Sequence, residues 1–355
     1  MSVLGLARPE LLAMAPYSSA RMEAASGDIW LNANESPWNP IAVGRINRYP
    51  EPQPPLLLTA LAGLYGVDAS HLFIGRGSDE PIDLLTRAFC RAGTDAVLIS
   101  PPTFGMYAVA AQIQGAKQRT VPLQREHGFM LDIDGVLAAV DASTRIVYAC
   151  TPNNPTGNST APAVLLALAE CLRDRALLVV DEAYIEFSSH DSLATRAGTP
   201  DNLVVLRTLS KAHGLAGVRI GTAIAAPEVI ALLRQIMAPY PLPEPSIAAA
   251  MQALSQDARL QTQARIGEVC RERERMRSAL PGCAGVREVL SSDANFLAVR
   301  FDHPERRYQQ LAQAGVIVRK LMQYPGPDDA LRISIGTADE NNAVLAALAA
   351  DREVA

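Results

Sequence analysis

A lysine stands where a buried run should be ending. In "NLVVLRTLSKAHGLAGVRIG", residues 202–221, Lys211 follows an apolar stretch, with Ser210 before it and Arg219 a short Gly-rich loop later. Desolvation at a strand end disfavours the ammonium, and the neutral amine it favours is a nucleophile toward carbonyls. A second run, "ALLVVDEAYIEF" (176–187), ends in Asp181 and, three residues on, Tyr184. A carboxylate emerging from so apolar a run is costly to bury without a cationic partner. "TPNNPTGN" (151–158) holds two asparagines in a proline-stiffened loop that leaves their amides free. "GRGSDEPIDLL" (75–85) sets Gly75, Gly77, Ser78 and Asp79 between a strand and a helix, where free N–H groups face an anion. Taken alone, the last two also read as an ordinary turn and an N-capped turn.

Together these residues narrow the chemistry. A lysine that reacts with a carbonyl, an aspartate that can keep a ring nitrogen protonated, and a Ser/Arg pair suited to a phosphate are what one cofactor requires, pyridoxal 5'-phosphate. His213 lies two residues from Lys211 and invites a general-base role, but Lys211 already fills that office, so a packing or loop role is expected.

The elements that must position these groups are short β-branched runs: "HLFIG" (71–75), "DAVLIS" (95–100), "TRIVYAC" (144–150), "ALLVVDEAY" (176–184), "NLVVLRT" (202–208) and "GTAIAA" (221–226). Helix-period segments such as "DEPIDLLTRAFCRAG" and "APAVLLALAECLRDR" alternate with them. This predicts an α/β fold with a mostly parallel sheet covered by helices, whose ligand site lies beyond the carboxyl ends of the strands. The prolines of "APYPLPEP" (238–245) mark a break. After it come a charged helix (266–280), strand-like "NFLAVRF" (295–301), helical "PERRYQQLAQAG" (304–315), strand-like "VIVRK" (316–320) and "LRISIG" (331–336), and a final Ala/Leu-rich helix. That order predicts a smaller α+β C-terminal domain. The expected division is an arm over residues 1–28 that packs on the small domain and active site, a large cofactor-binding domain over 29–250 and a small one over 251–355.

Bulk properties exclude several alternatives. At 355 residues the chain exceeds what one core usually covers. With 49% apolar and 19% charged residues it has an ordinary globular composition, and no apolar segment approaches the ~18 residues of a membrane span. A net charge of −5 offers no broad basic field for nucleic acid. Five cysteines without a C-x-x-C pair suggest neither a disulfide framework nor a zinc site, and five scattered histidines argue against any metal. The opening residues lack the pattern of a secretion signal, so a cytoplasmic location is the expectation.

The ordered set "GRGSDE", "PPTFGMY", "TPNNPTGN", "DEAYIEF" and "RTLSKAHGLAGVRIG" resembles the fold-type I, class II pyridoxal-phosphate aminotransferases. Further stretches, "LNANESPWNP", "NRYPEPQPP" and "LRISIGTADEN", are similar to the histidinol-phosphate branch of that family. The resemblance implies that Lys211 attaches the cofactor covalently and shuttles a proton, and that Asp181 pairs with the ring nitrogen. It implies that Asn154 and Tyr184 bond the ring hydroxyl and that Phe104 stacks on the ring. The phosphate would be held by amides of Gly77, Ser78 and Asp79, by Ser210 and by Arg219, with Tyr49 reaching it from the other subunit of a homodimer. Arg332 would bind the substrate carboxylate, Arg319 its other anionic end, and Tyr17 would cover the site alongside Asn154. The implied reaction is transamination between L-glutamate/2-oxoglutarate and L-histidinol phosphate/imidazole acetol phosphate. Two enzymatic alternatives keep the cofactor: a broad aromatic aminotransferase and a phosphate-amino-acid decarboxylase. A non-catalytic regulator would carry a DNA-binding segment, and none is visible. Arg76, His213 and Phe104 depart from the family's commonest wording, where asparagine, phenylalanine and tyrosine are frequent.

Overall fold

A computed structural model of the chain describes residues 2–15, 29–41 and 44–349. Its larger sheet has seven strands: β1 (Leu72–Arg76), β2 (Ala96–Ile99), β3 (Lys117–Thr120), β4 (Thr144–Cys150), β5 (Leu177–Asp181), β6 (Leu203–Thr208) and β7 (Ile220–Ile224). They lie in the order β1-β7-β6-β5-β4-β2-β3. Strand β7 is antiparallel to both of its neighbours, and the pairs from β6 through β5, β4 and β2 to β3 are parallel. The expected mostly parallel sheet is therefore present.

Apart from the edge strand β3, the strands are largely apolar because both faces are covered. Successive residues point to opposite sides, so the core divides in two. Phe73, Leu177, Val179, Val204 and Leu206 pack on one face with helices α2 (Asp79–Phe89), α3 (Met106–Gln114) and α6 (Pro227–Ile236). Leu72, Ile74, Leu178, Val180, Leu203 and Val205 pack on the other, with α1 (Pro55–Tyr65), α4 (Ile133–Ala139), α5 (Pro162–Cys171) and α7 (Glu244–Ala253).

Helix α8 (Gln256–Ala279) leads to a second, wholly antiparallel sheet of β8 (Val286–Val289), β9 (Phe296–Phe301), β10 (Arg319–Lys320) and β11 (Ala330–Ser334), in the order β10-β11-β9-β8. Met276 of α8, Leu311 of α9 (Pro304–Gln313) and Leu348 of α10 (Ala338–Ala349) close its core. Between the two sheets Tyr184, Phe187, Ile266, Ala294 and Phe296 form a smaller cluster.

Two expectations change. The described part of the N-terminal arm packs on the larger sheet's helices and not on the smaller sheet: Val3, Leu6 and Ala7 join the cluster of Leu85, Phe89 and Val229. The "VIVRK" strand shrinks to Arg319–Lys320; before it Ile317 is 79% exposed while Val316 and Val318 pack against the smaller sheet's core.

Candidate active site

The parallel strands set the site by their register. Cys150, the last residue of β4, is paired with Asp181, the last of β5, and Asp181 is paired with Leu206, two residues before the end of β6. Three carboxyl ends thus meet beside Lys211. They open into a common cavity of about 100 Å³. Ser78, Asp79, Phe104, Asn154, Asp181, Tyr184, Ser210, Lys211 and Arg219 all line it. Residues as far apart in the chain as Ser78 and Arg219 are brought to one place.

Asp181 is 2% exposed. Its Oδ2 accepts from the Tyr107 hydroxyl at 2.7 Å and its Oδ1 from the Ala183 N–H at 3.1 Å. Burial pushes its carboxyl above the ordinary value, and the two donors work against that push. Lys211 stands at the open face with its Nζ 5.3 Å from the centre of the Tyr184 ring. Desolvation and then the Arg332 charge lower its pKa, while Asp181 raises it; the net effect is downward, toward a neutral amine. Tyr184 is 6% exposed and meets Phe296 edge-on, ring centroids 5.2 Å apart. Burial raises its pKa, so the phenol remains a donor.

An anion cradle closes the other end. Arg219 donates to Ser210 Oγ at 3.3 Å and pairs with Asp79 at 3.0 Å. The cradle demands glycine: at Gly77, φ +73°, a Cβ would stand 2.4 Å from Arg219 Nη2, and at Gly221 one would stand 2.3 Å from the Ser78 amide. Ser78 and Asp79 begin α2, where amides and helix dipole favour an anion. The Gly77 amide is the exception to the expected set. It donates to the Arg219 carbonyl at 3.0 Å, so the phosphate reading rests on the Ser78 and Asp79 amides.

The two asparagines of "TPNNPTGN" divide their work. Asn153 is 3% exposed and latches the loop, bonding Pro102, Thr103 and Thr156. Asn154 faces the cavity, and its Oδ1 accepts from Arg332 Nη1. Arg332, in β11, also lies over the Phe296 ring at 5.2 Å, so the smaller sheet delivers a guanidinium to the larger sheet's site. Arg319 sits directly opposite Arg332 in the β10–β11 register and is exposed.

A family model for aminotransferase class I and II matches residues 28–348. The chain belongs to this aminotransferase family. It is 52% identical over 357 residues to a histidinol-phosphate aminotransferase of Stenotrophomonas maltophilia, covering 99% of this chain and 98% of that one. A solved histidinol-phosphate aminotransferase from Sinorhizobium meliloti, in complex with pyridoxal-5'-phosphate, superposes with a TM-score of 0.77 at 27% identity, over 86% of this chain and 83% of that one. An L-threonine-O-3-phosphate decarboxylase from Porphyromonas gingivalis gives 0.73 at 23% identity, over 85% and 90%. The fold is thus common to transaminases and a decarboxylase, and does not by itself separate them.

Among the other expected residues of this aminotransferase, Tyr49 is 48% exposed and stacks on Tyr240 with centroids 4.4 Å apart. Tyr17 lies outside the described residues. Arg76 pairs with Glu80 at 2.8 Å, a local role that keeps α2 anchored to β1. His213 lines a separate cavity with Glu186 and Arg207. Sequence reasoning passed over Tyr107, Cys150 and Thr208. Cys150 and Thr208 line the cavity and end strands β4 and β6, a position that gave a usable signal. Tyr107 had only its place three residues after Phe104.

Proposed function

We propose that the chain catalyses a two-stage transamination, taking an amino group from L-glutamate and passing it to imidazole acetol phosphate to give L-histidinol phosphate. The observation that carries this reading is 52% identity to a histidinol-phosphate aminotransferase across 99% of the chain, with Lys211, Asp181 and Arg219 gathered in one cavity. The cofactor is pyridoxal 5'-phosphate, which supplies a carbonyl carbon to receive the amino group and a ring to accept the electrons left when the substrate's Cα–H bond breaks.

The protein's own groups divide the remaining work. Lys211, held toward its neutral form, would attach the cofactor, and its Nζ would then carry the proton taken from the substrate Cα. Asp181, fixed through both oxygens, holds a proton on the ring nitrogen. Asn154 and Tyr184 bond the ring hydroxyl, and Phe104 covers a face of the ring. Ser210, Arg219 and the Ser78 and Asp79 amides hold the phosphate, with Gly77 giving the room.

Arg332 takes the substrate's α-carboxylate, and Arg319 takes the distal carboxylate or phosphate, with Tyr17 over the site. On this reading residues 251–355 carry both arginines to a site built by 29–250. The enzyme works as a cytoplasmic homodimer in which Tyr49, seated on Tyr240, reaches the phosphate in the other subunit.

Comparing kcat/KM for histidinol phosphate, phenylalanine and tyrosine as amino donors tests the substrate. Preference for the aromatic amino acids would replace this reading with a broad aromatic aminotransferase. Failure of glutamate alone to convert the bound cofactor to its aminated form would remove transamination and favour the decarboxylase.

A further inference from the structure

Asp181 is held from behind by a residue that no part of the reaction just described requires. Tyr107, the second residue of α3, is fully buried, and its hydroxyl is the donor to Asp181 Oδ2 at 2.7 Å. Its ring stacks on Tyr148, centroids 4.5 Å apart and planes within 5°. Tyr148 is itself fixed, with its hydroxyl 3.0 Å from Thr86 Oγ1. Tyr107 also meets Phe104 edge-on, at 5.6 Å and 83°. Phenylalanine would fill the same space and keep both ring contacts, so packing alone gives no reason for the oxygen.

We propose that Tyr107 is a positioning residue for the cofactor, its hydroxyl fixing the Asp181 carboxylate and its ring edge seating Phe104. This rests on the reading that Asp181 faces the ring nitrogen. A phenol so buried stays protonated, because burial and the neighbouring carboxylate both oppose its ionisation, and it remains a donor. With that donor, both carboxylate oxygens are engaged before the cofactor arrives, and the preorganised acceptor needs no rearrangement. Without it, Asp181 would be buried with one bond fewer and would be a stronger base. The proton it shares with the ring nitrogen would then move toward the carboxylate, and the ring would accept electrons less well.

The other charged or titratable groups around this pair are Asp79 from α2, Cys150 from β4, Tyr184 and Lys211 from the loops after β5 and β6, and Arg219 and Arg332 beyond Lys211. Of these only Cys150 also interacts with the Tyr107 hydroxyl, and Tyr107→Phe leaves the others in place. The test uses the cofactor-loaded enzyme and two readouts: the pH titration of the visible absorption of the lysine-bound cofactor, and the single-turnover rate with glutamate. Loss of positive charge on the ring makes the lysine-bound nitrogen easier to protonate. Tyr107→Phe is therefore expected to raise the titration midpoint by about one pH unit and slow the single turnover roughly tenfold.

Asp181→Asn and the double variant separate the possible failures. If Asp181→Asn disturbs the absorption but Tyr107→Phe titrates and turns over within about twofold of wild type, Tyr107 is core packing and the proposal falls. If Asp181→Asn leaves the absorption untouched, the ring-nitrogen reading falls first and takes the proposal with it. A double variant no worse than Asp181→Asn alone is the supporting result, and additive losses would overturn the coupling.

Discussion

The ends of β5 and β6 send neighbouring residues to two different regions. Asp181, Thr208 and Lys211 line the cofactor cavity. Glu182, Arg207 and His213, each one or two positions away, turn toward a second polar region behind it, where Arg207 and His213 line a cavity of their own. Strand alternation makes the division for the first two pairs. Both regions bury charge, but they settle it differently. In the rear region Arg207 donates to Glu186 at 2.7 Å and to Ser192 at 2.8 Å, and Glu182 accepts from the Leu193 N–H at 2.7 Å. Burial would lower the Arg207 pKa, but Glu186, Tyr65 and Glu182 hold it above the ordinary value, so the guanidinium stays charged. In the front region Lys211 has no hydrogen-bond or salt-bridge partner among the described residues. Arg207 thus has carboxylate partners beside its cavity, whereas Lys211 faces its own without one among the described residues.

Lys211→Ala breaks the front region at its centre. The single-turnover rate with glutamate is expected to fall roughly 10³-fold. The urea unfolding midpoint of the cofactor-free protein should not fall, since the side chain closes no network. Turnover near wild type, without added amines, would erase the distinction between the two regions.

Arg207→Met makes the converse break. It leaves Glu182 and Glu186 buried without their cation, a change that costs about 3–5 kcal/mol where a buried pair loses one partner. Equilibrium unfolding in urea reads that loss, and the rate per folded molecule should stay close to wild type. Adding Glu186→Gln should recover part of the stability. A variant with intact stability and lost activity would place Arg207 in the catalytic machinery.

The same contrast explains what the sequence made legible. Lys211, Asp181 and Asn154 stood out because a polar residue interrupts or closes an apolar run, and six of the seven strands of the larger sheet were visible as those runs. Strands β3, "KQRT", and β8, "VREV", were not, since both lie at sheet edges with their side chains mostly in water. A charged edge strand protects a sheet from further pairing and therefore carries no apolar alternation. Tyr107 was hidden for another reason. Its partner Asp181 is 74 positions away, and only the packing of α3 against the sheet makes them neighbours. The Gly77 amide was misassigned because a glycine before a helix signals close approach without saying to what; here it is the Arg219 carbonyl.

In the cofactor-free protein, Asp181→Asn sharpens the comparison with the smallest expected effect on stability. The folded-state pKa of Asp181 is raised above 3.8, chiefly by burial. Between 3.8 and that higher value the folded protein binds more protons than the unfolded chain, so stability falls as pH rises through this window. The penalty is complete above the folded pKa and absent below 3.8. Removing the charge should therefore make the cofactor-free variant more stable than wild type at pH 7, and the gain should disappear once the pH drops below 3.8. Thermal unfolding of the two cofactor-free proteins across that range measures it. A functional charge held ready for an absent partner costs stability, whereas a structural one such as Arg207 costs stability only when removed. If the Asp181→Asn variant proved less stable than wild type at pH 7, Asp181 would move into the second class.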